Sequence, residues 1–235
     1  MKLLGAIKQG TNEYVYPRIA NKIDKYDCPV CHEELILRQG KIRTRHFAHY
    51  KRDDPCNYYS NPSESQIHND AKMLLKTLLE NKTMINIIQT CDKCHEKEEY
   101  EIGDTSHISI EYRFEYNGTK IADVAYTDHN QIVCLFEIYN THKTEDKNRP
   151  EPWYEIDASC LINKANSSHI DLLKIDCIRS ILCEKCIKRK RLCYICSRCG
   201  DEYAKYLTAL FFINKLISLV LNSIYFDYTI LNLLD

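Results

Sequence analysis

The sequence carries almost no excess charge of either sign. Its 32 Lys and Arg stand against 33 Asp and Glu, a formal net charge of −1. Attachment to nucleic acid through overall basicity is therefore excluded, and any such contact must come from local patches. Glycine and proline are also scarce, at six each in 235 residues. There is no internal repeat and no low-complexity segment, so neither a repeat architecture nor a compositional tract organises the chain. The first residues, "MKLLGAIKQGTNEYVYPRIANKIDKYD", lack an apolar core of signal-peptide length. Secretion is not expected, and an intracellular, reducing compartment is. In such a compartment a disulfide framework is the weaker use of cysteine.

Cysteine is nevertheless abundant, at 13 residues. The spacings are Cys28-x2-Cys31, Cys91-x2-Cys94, Cys183-x2-Cys186 and Cys193-x2-Cys196-x2-Cys199. A tight Cys-x-x-Cys turn points two thiolates at one tetrahedral zinc, and several such turns in one intracellular chain are a strong signal for structural zinc. Cys134 and Cys160 sit in apolar runs and read as core residues.

Residues 1–60 read as short strands and a metal knuckle. Residues 63–82 read as a helix, with Ser63 as N-cap and Ile67, Ala71, Leu74, Leu75, Leu78 and Leu79 at helical spacing. Thr83–Thr90 reads as a strand, and "CDKCHEKEEYEIGDT" as a polar loop interrupting it. Three strands follow, Ile108–Tyr116, Lys120–Thr127 and Gln131–Asn140, turning at Asn117-Gly118 and at Asp128–Asn130. "THKTEDKNRPEP" is a polar linker and "WYEIDASCL" a further strand. Residues 171–199 form a cysteine-rich appendage with the basic run Lys188, Arg189, Lys190, Arg191. The tail, Leu207–Leu234, is strongly apolar, but Asn214, Lys215, Ser218 and Asn222 share one helical stripe. That pattern suits an amphipathic helix packed on the domain or across a homodimer rather than a membrane span.

Three acids fall at suggestive places. Glu64 opens the helix, Asp123 lies in "IADVAY" and Glu137 in "CLFEIYN". Asp123 and Glu137 are about equally far from the Asp128–Asn130 turn, so adjacent antiparallel strands would set them opposite each other. Two facing carboxylates favour a hard divalent ion such as Mg2+ or Mn2+ between them. Such an ion activates water and offsets charge building on a phosphodiester.

The pieces "CPVC…HFAH…SESQIHNDAK…ADVAY…FEIYNTHKTEDK…WYEIDA" resemble the competence-protein CoiA-like family over roughly residues 10–160. The resemblance implies a PD-(D/E)xK, restriction-endonuclease-like αβββαβ core behind an N-terminal zinc-finger-like module. It also implies divalent-metal phosphodiester hydrolysis with DNA as substrate. By position, Asp123 corresponds to the Asp of the family's "PDV" motif, with Ala122 in place of proline. Glu137 corresponds to the acid of the E-x-(K/Q) motif, and Glu64 and His68 to the helix motif, with Lys72 following on the same face. Tyr139 departs from the pattern, since lysine or glutamine is usual there. His142, Lys143 or Lys147 of the linker would have to supply the missing group.

The N-terminal metal set starts from Cys28 and Cys31, and His46, His49 and Cys56 offer one candidate too many. Either His46 and His49 share a helical face at i, i+3, or His49 and Cys56 ligate while His46 packs or contacts phosphate. The second is preferred because thiolate is the better zinc ligand. Cys183, Cys186, Cys196 and Cys199 have zinc-ribbon spacing, with Lys188–Arg191 at the tip of the loop facing phosphates. Alternatively Cys183 and Cys186 close the Cys91/Cys94 site, leaving Cys193, Cys196 and Cys199 for another with Cys177 or His95.

The expected architecture is thus an α/β, mixed-sheet protein. A zinc-binding module spans 1–60, and a nuclease-like core with a Cys91/Cys94 insertion spans 61–176. A cysteine-rich zinc module (177–200) and an apolar helix (201–235) follow. The expected function is a zinc-stabilised, Mg2+- or Mn2+-dependent DNA nuclease acting in DNA processing or recombination. A catalytically degenerate DNA-binding module and a zinc-stapled protein-interaction module are the alternatives.

Overall fold

The computed structural model describes residues 3–40, 44–50, 56–102, 107–144, 149–167 and 172–188. The chain divides into two compact units, Met1–Ile181 and Leu182–Asp235. Lys147, Arg189, Lys190, Arg191, Cys193, Cys196, Cys199 and the expected tail helix all lie outside the described residues.

The first unit is a mixed α+β structure, mostly strand. It opens with β1 (Ala6–Lys8), β2 (Tyr14–Val15), β3 (Tyr26–Asp27), β4 (Glu34–Arg38) and β5 (His46–His49). These form an antiparallel sheet in the order β2-β1-β3-β4-β5. Next come α1 (Glu64–Glu80), β6 (Met84–Thr90), β7 (Lys97–Ile102), β8 (His107–Glu115), β9 (Thr119–Asp128) and β10 (Gln131–Tyr139). The unit ends with β11 (Trp153–Asp157), α2 (Ala158–Asn166) and β12 (Leu172–Asp176). One sheet runs β11-β10-β9-β8, antiparallel except for the parallel β10–β11 pair. A second runs β12-β6-β7.

Helix α1 starts where its sequence directs. The Ser63 hydroxyl accepts the Gln66 N–H at 3.3 Å while the Gln66 side chain accepts the Ser63 N–H at 2.8 Å. This reciprocal box satisfies two backbone donors that a helix end leaves open. The helix then buries Ile67, Ala71, Leu74, Leu75, Leu78 and Leu79, each large side chain contributing roughly 1.5–3 kcal/mol of transfer free energy. One core cluster runs from Leu4 and, in the N-terminal sheet, Ala6 through α1 to Ile87, Ile156 and Ile175. Residues on both sides of position 60 therefore share a core.

That junction is also polar. Asp70 of α1 is buried and accepts the Gly5 N–H at 2.9 Å and the Tyr58 hydroxyl at 2.7 Å. Burial pushes its carboxyl up to about 6, although Tyr58, Gly5 and Tyr14 all oppose the rise. Gly5 is required there for closeness, because any Cβ would collide with the Tyr14 ring.

The hairpin turns follow their chemistry. Asn117 and Gly118 both have positive φ, at 52° and 97°, and so do His129 and Asn130, at 46° and 62°. Left-handed residues in the turn match the twist of the strands they join.

Three expectations about elements fail. "KEEYEI" is strand β7, not a polar loop. Its register with β6 pairs Tyr100 with Ile87 and Ile102 with Ile85, and an inward Glu98 hides the alternation from the sequence. "WYEIDASCL" is not one strand, because it changes to helix at Asp157, whose side chain accepts the Cys160 N–H at 2.6 Å. Ala158, Leu161, Ile162 and Ala165 then face inward at helical spacing. The segment after residue 171 is not purely an appendage, since β12 pairs in parallel with β6, Leu173 beside Ile85 and Ile175 beside Ile87. Among the described residues, no helix is long and apolar enough to cross a membrane.

Candidate functional site

The loop after β3 turns back on itself at the first cysteine pair. The Cys28 N–H donates to Glu33 O at 2.9 Å, the His32 N–H donates to Cys28 O at 2.9 Å, and His32 adopts φ 56°. Cys28 and Cys31 thereby lie on one turn. His49 at the end of β5 and Cys56 complete a group of four whose ligand atoms all lie within 4.8 Å of one another. The separations are 3.6 Å for Cys28 Sγ to Cys56 Sγ, 3.2 Å for Cys31 Sγ to His49 Nε2 and 3.5 Å for Cys56 Sγ to His49 Nε2. A tetrahedral zinc with ordinary Zn–S and Zn–N bonds needs edges of about 3.5–3.8 Å. The donor set fits. Burial foremost pushes the Cys28 thiol up to about 12, so a stable thiolate there requires a cation.

His46 is not a member of this group. The helical i, i+3 relation considered for His46 and His49 does not arise, because both lie in strand β5. Residues three apart in a strand point to opposite faces. His46 is buried, with Nδ1 2.8 Å from Thr44 O.

Cys91 and Cys94 sit on a second turn of the same design. Cys91 N–H donates to Glu96 O at 2.8 Å, His95 N–H donates to Cys91 O at 3.0 Å, and His95 has φ 59°. Both loops read Cys-x-x-Cys-His-Glu, and the left-handed histidine closes each. The Lys93 N–H also points at Cys91 Sγ, 3.5 Å away. In the second unit, the Ile187 N–H donates to Cys183 O at 2.9 Å, placing Cys183 and Cys186 on one helical turn, both buried. Cys134 is buried in the core, Cys160 is half-buried, and the Cys177 thiol accepts the Glu155 N–H at 3.4 Å.

The acids occupy the four-stranded sheet beneath α1. Glu137 and Glu155 are direct partners on β10 and β11. The β9–β10 ladder pairs Leu135 with Ala125 and Phe136 with Val124. The β8–β9 ladder pairs Ile110 with Val124 and Tyr112 with Ala122. Carried one step on, these registers set Glu111, Asp123, Glu137 and Glu155 at one level across all four strands. Side-chain exposure falls along the row, from 63% at Glu111 to 18% at Asp123 and 6% at Glu137. The row is open at one end and closed at the other.

Each acid has its own protein partner. His68, one turn into α1, brings Nε2 to 3.0 Å from Asp123 Oδ2, and the Ile138 N–H donates to the same oxygen at 2.8 Å. Lys72 Nζ lies 3.8 Å from Asp123 Oδ1. Burial opposes ionisation of Asp123, but His68, Ile138 and Lys72 together outweigh it and hold the carboxyl below its usual range. Glu137 behaves oppositely. Burial pushes it up to about 7, the nearby Asp123 and Glu155 charges add to the rise, and the Arg149 guanidinium opposes it. Arg149 Nε donates to Glu137 Oε1, its Nη2 donates to Ile121 O at 2.7 Å, and the guanidinium stacks 5.7 Å from the Phe114 ring centre. Glu155 Oε1 accepts the Thr144 N–H at 2.6 Å. Among the described residues, neither Asp123 nor Glu137 joins a cluster of three or more ligand atoms as close as the cysteine–histidine group.

A cleft of about 250 Å³ opens beside this row, lined by Glu64, Ser65, His68, Ile138, Asn140, Thr141 and His142. Asn140 Nδ2 donates to Glu64 O and the Thr141 hydroxyl to Glu64 Oε2, both at 3.2 Å, fastening the start of α1 to the end of β10. Glu64, His68 and His142 thus meet at one opening. Lys143 is exposed. Lys188 is also exposed and pairs with Glu184 at 2.7 Å.

Residues 13–59 match the family model described as "Competence protein CoiA, N-terminal domain". The chain carries a CoiA-like N-terminal module. The match contains all four residues of the cysteine–histidine group. No curated protein and no solved structure matches the chain.

Three residues that stand in or against the row of acids, Glu155, Glu111 and Arg149, are not singled out in the sequence, and Lys72 is noted there only as following His68 on its helix face. Glu155 lies in "WYEID", an apolar run like the one that drew attention to Glu137, and the same argument would have found it. Lys72 stands among buried leucines on α1. Glu111 and Arg149 give no sequence signal, since a charged residue in an exposed-looking strand or linker is ordinary.

Proposed function

We propose that this protein is a zinc-stabilised, metal-dependent nuclease that hydrolyses phosphodiester bonds in DNA. The observation that carries the reading is the placement of Asp123 and Glu137 on adjacent strands under α1, beside a cleft that Glu64 and His68 line. Asp123 and Glu137 would hold a divalent cation, which when bound polarises the phosphate and lowers the pKa of water. The chain's own residues prepare the rest. Asp123 stays ionised and, by accepting from His68 Nε2–H, leaves Nδ1 as the nitrogen free to take a proton. Glu64 and Thr141 shape the mouth of the cleft. Asn140 fastens the helix start beside the end of β10, one turn from His68. The zinc set Cys28, Cys31, His49 and Cys56 holds the N-terminal sheet against α1 through Tyr58, Tyr59 and Asp70. DNA as the substrate rests on the CoiA-like resemblance.

A second reading has a specific observation in its favour. Arg149 occupies Glu137, and Tyr139 stands where a lysine or glutamine is usual. Such a site would bind DNA without cutting it. Incubation of zinc-loaded protein with linear, nicked and single-stranded DNA, with Mg2+, with Mn2+ and with neither, separates the two. Cleavage in one of the metals supports the nuclease. Retention of DNA without cleavage in any of them supports the binding module.

A further inference from the structure

We propose that Lys72 is the positioning cation of the acid row, supplying from α1 the fixed charge that Tyr139 cannot supply from β10. This rests on the nuclease reading above.

The first ground is cost. Lys72 is 5% exposed and sits in the inward stripe of α1 with Ala71, Leu74 and Leu75. A lysine buried on an apolar helix face loses the hydration of its ammonium, and a leucine or methionine would pack there without that loss. Its retention needs partners, and it has two. Nζ lies 2.6 Å from Glu111 Oε1 and 3.8 Å from Asp123 Oδ1.

The second ground is the backbone beneath it. Glu111 adopts φ 51° in the middle of β8. A glutamate in the left-handed region within a strand is strained, and such strain persists only where the surroundings fix it. The contortion sets the Glu111 carboxylate under the Lys72 ammonium, level with Asp123.

The third ground is direction. Glu64, His68 and Lys72 succeed one another at four-residue spacing, so they lie on one face of α1. Glu64 and His68 line the cleft, and His68 and Lys72 both reach Asp123. Lys72 therefore acts through Asp123. It holds that carboxylate ionised and oriented and places a positive charge behind the phosphate position. Tyr139, two residues after Glu137, offers a phenol where a lysine would give this charge directly.

The test uses full-length, zinc-loaded protein and linear DNA in Mn2+. Lys72→Met keeps the length of the side chain and removes its charge. It should lower kcat by about 100-fold with KM little changed, the scale of losing one preorganised electrostatic contact. Lys72→Arg should retain most activity. The deciding variant is Lys72→Met combined with Tyr139→Lys, which should recover at least about tenfold of the lost kcat, because the charge returns from the neighbouring strand. A residue with only a structural task would not be rescued in this way. Glu111→Gln alters an exposed side chain, so it folds even if Lys72→Met does not. It should lower kcat several-fold by loosening the ammonium. If wild type cuts, Asp123→Asn does not, and Lys72→Met or Glu111→Gln cuts like wild type, the inference fails while the nuclease reading stands. Failure of Tyr139→Lys to rescue a folded Lys72→Met likewise overturns it. If wild type cuts no DNA in any metal, the nuclease reading fails and this inference falls with it.

Discussion

Replacing Glu137 with glutamine should change how stability depends on pH, and the sign follows from its surroundings. The wild-type carboxyl titrates at about 7 in the folded protein against an ordinary value of 4.5, because burial and the charges of Asp123 and Glu155 outweigh Arg149. Between those two pH values the folded state holds a proton that the unfolded chain has released. Stability therefore falls as pH rises through this interval. A displacement of this size is worth at most ~3.5 kcal/mol, since one pKa unit corresponds to about 1.4 kcal/mol. The amide of Glu137→Gln has no proton to lose, so its stability lacks this slope. Relative to wild type, the variant should gain roughly 2–3 kcal/mol between pH 5 and pH 8. Urea unfolding of both proteins at four pH values in zinc-containing buffer measures the difference, in which the titrating groups that do not interact with Glu137 cancel. A relative stability constant to within about 0.5 kcal/mol across that range would mean that Glu137 is ionised equally in the folded and unfolded states, against the raised pKa its burial implies.

Chelation should unfold the N-terminal sheet, since the free energy of a structural zinc is folding free energy on the order of 10 kcal/mol. Elemental analysis should find more than one zinc per chain, and His49→Ala should lower that count while His46→Ala should leave it unchanged. Gly5→Ala should destabilise by about 1–3 kcal/mol in thermal or urea unfolding, because the added methyl must displace Tyr14 at a packed junction. A neutral Gly5→Ala would mean that Tyr14 does not pack where described.

Much of this was legible because the signals were local. Helix α1 announced itself through Ser63 and a leucine stripe, and the β8–β9–β10 meander through alternation and left-handed turn residues. The first cysteine pair pointed to zinc by spacing alone. What was hidden depends on contacts distant in sequence. "KEEYEI" carries charge on both faces, so only its pairing with β6 makes it a strand. "WYEIDASCL" holds strand and helix in nine residues, and the change depends on one capping bond from Asp157. The choice among His46, His49 and Cys56 turned partly on strand parity, which keeps His46 and His49 on opposite faces of β5, and partly on the fold bringing Cys56 beside His49. In the candidate site, Asp123, Glu137, His68 and Glu64 were marked in advance. Their partners were marked only in part: Lys72 was noted as following His68 on one helix face, but Arg149, 12 residues beyond Glu137 in a linker, and Glu111, 39 residues beyond Lys72, were not.

The most direct measurement compares wild type with Asp123→Asn on linear DNA in Mn2+ and in its absence, with zinc retained in both proteins. Asp123 is held ionised by His68, the Ile138 N–H and Lys72, so its charge is the part of the site that a metal would need. Wild type should cleave in a Mn2+-dependent way and the variant should lose at least about 100-fold, with circular dichroism unchanged. Cleavage of equal rate by folded Asp123→Asn, or no cleavage by wild type in any divalent metal, would contradict this expectation.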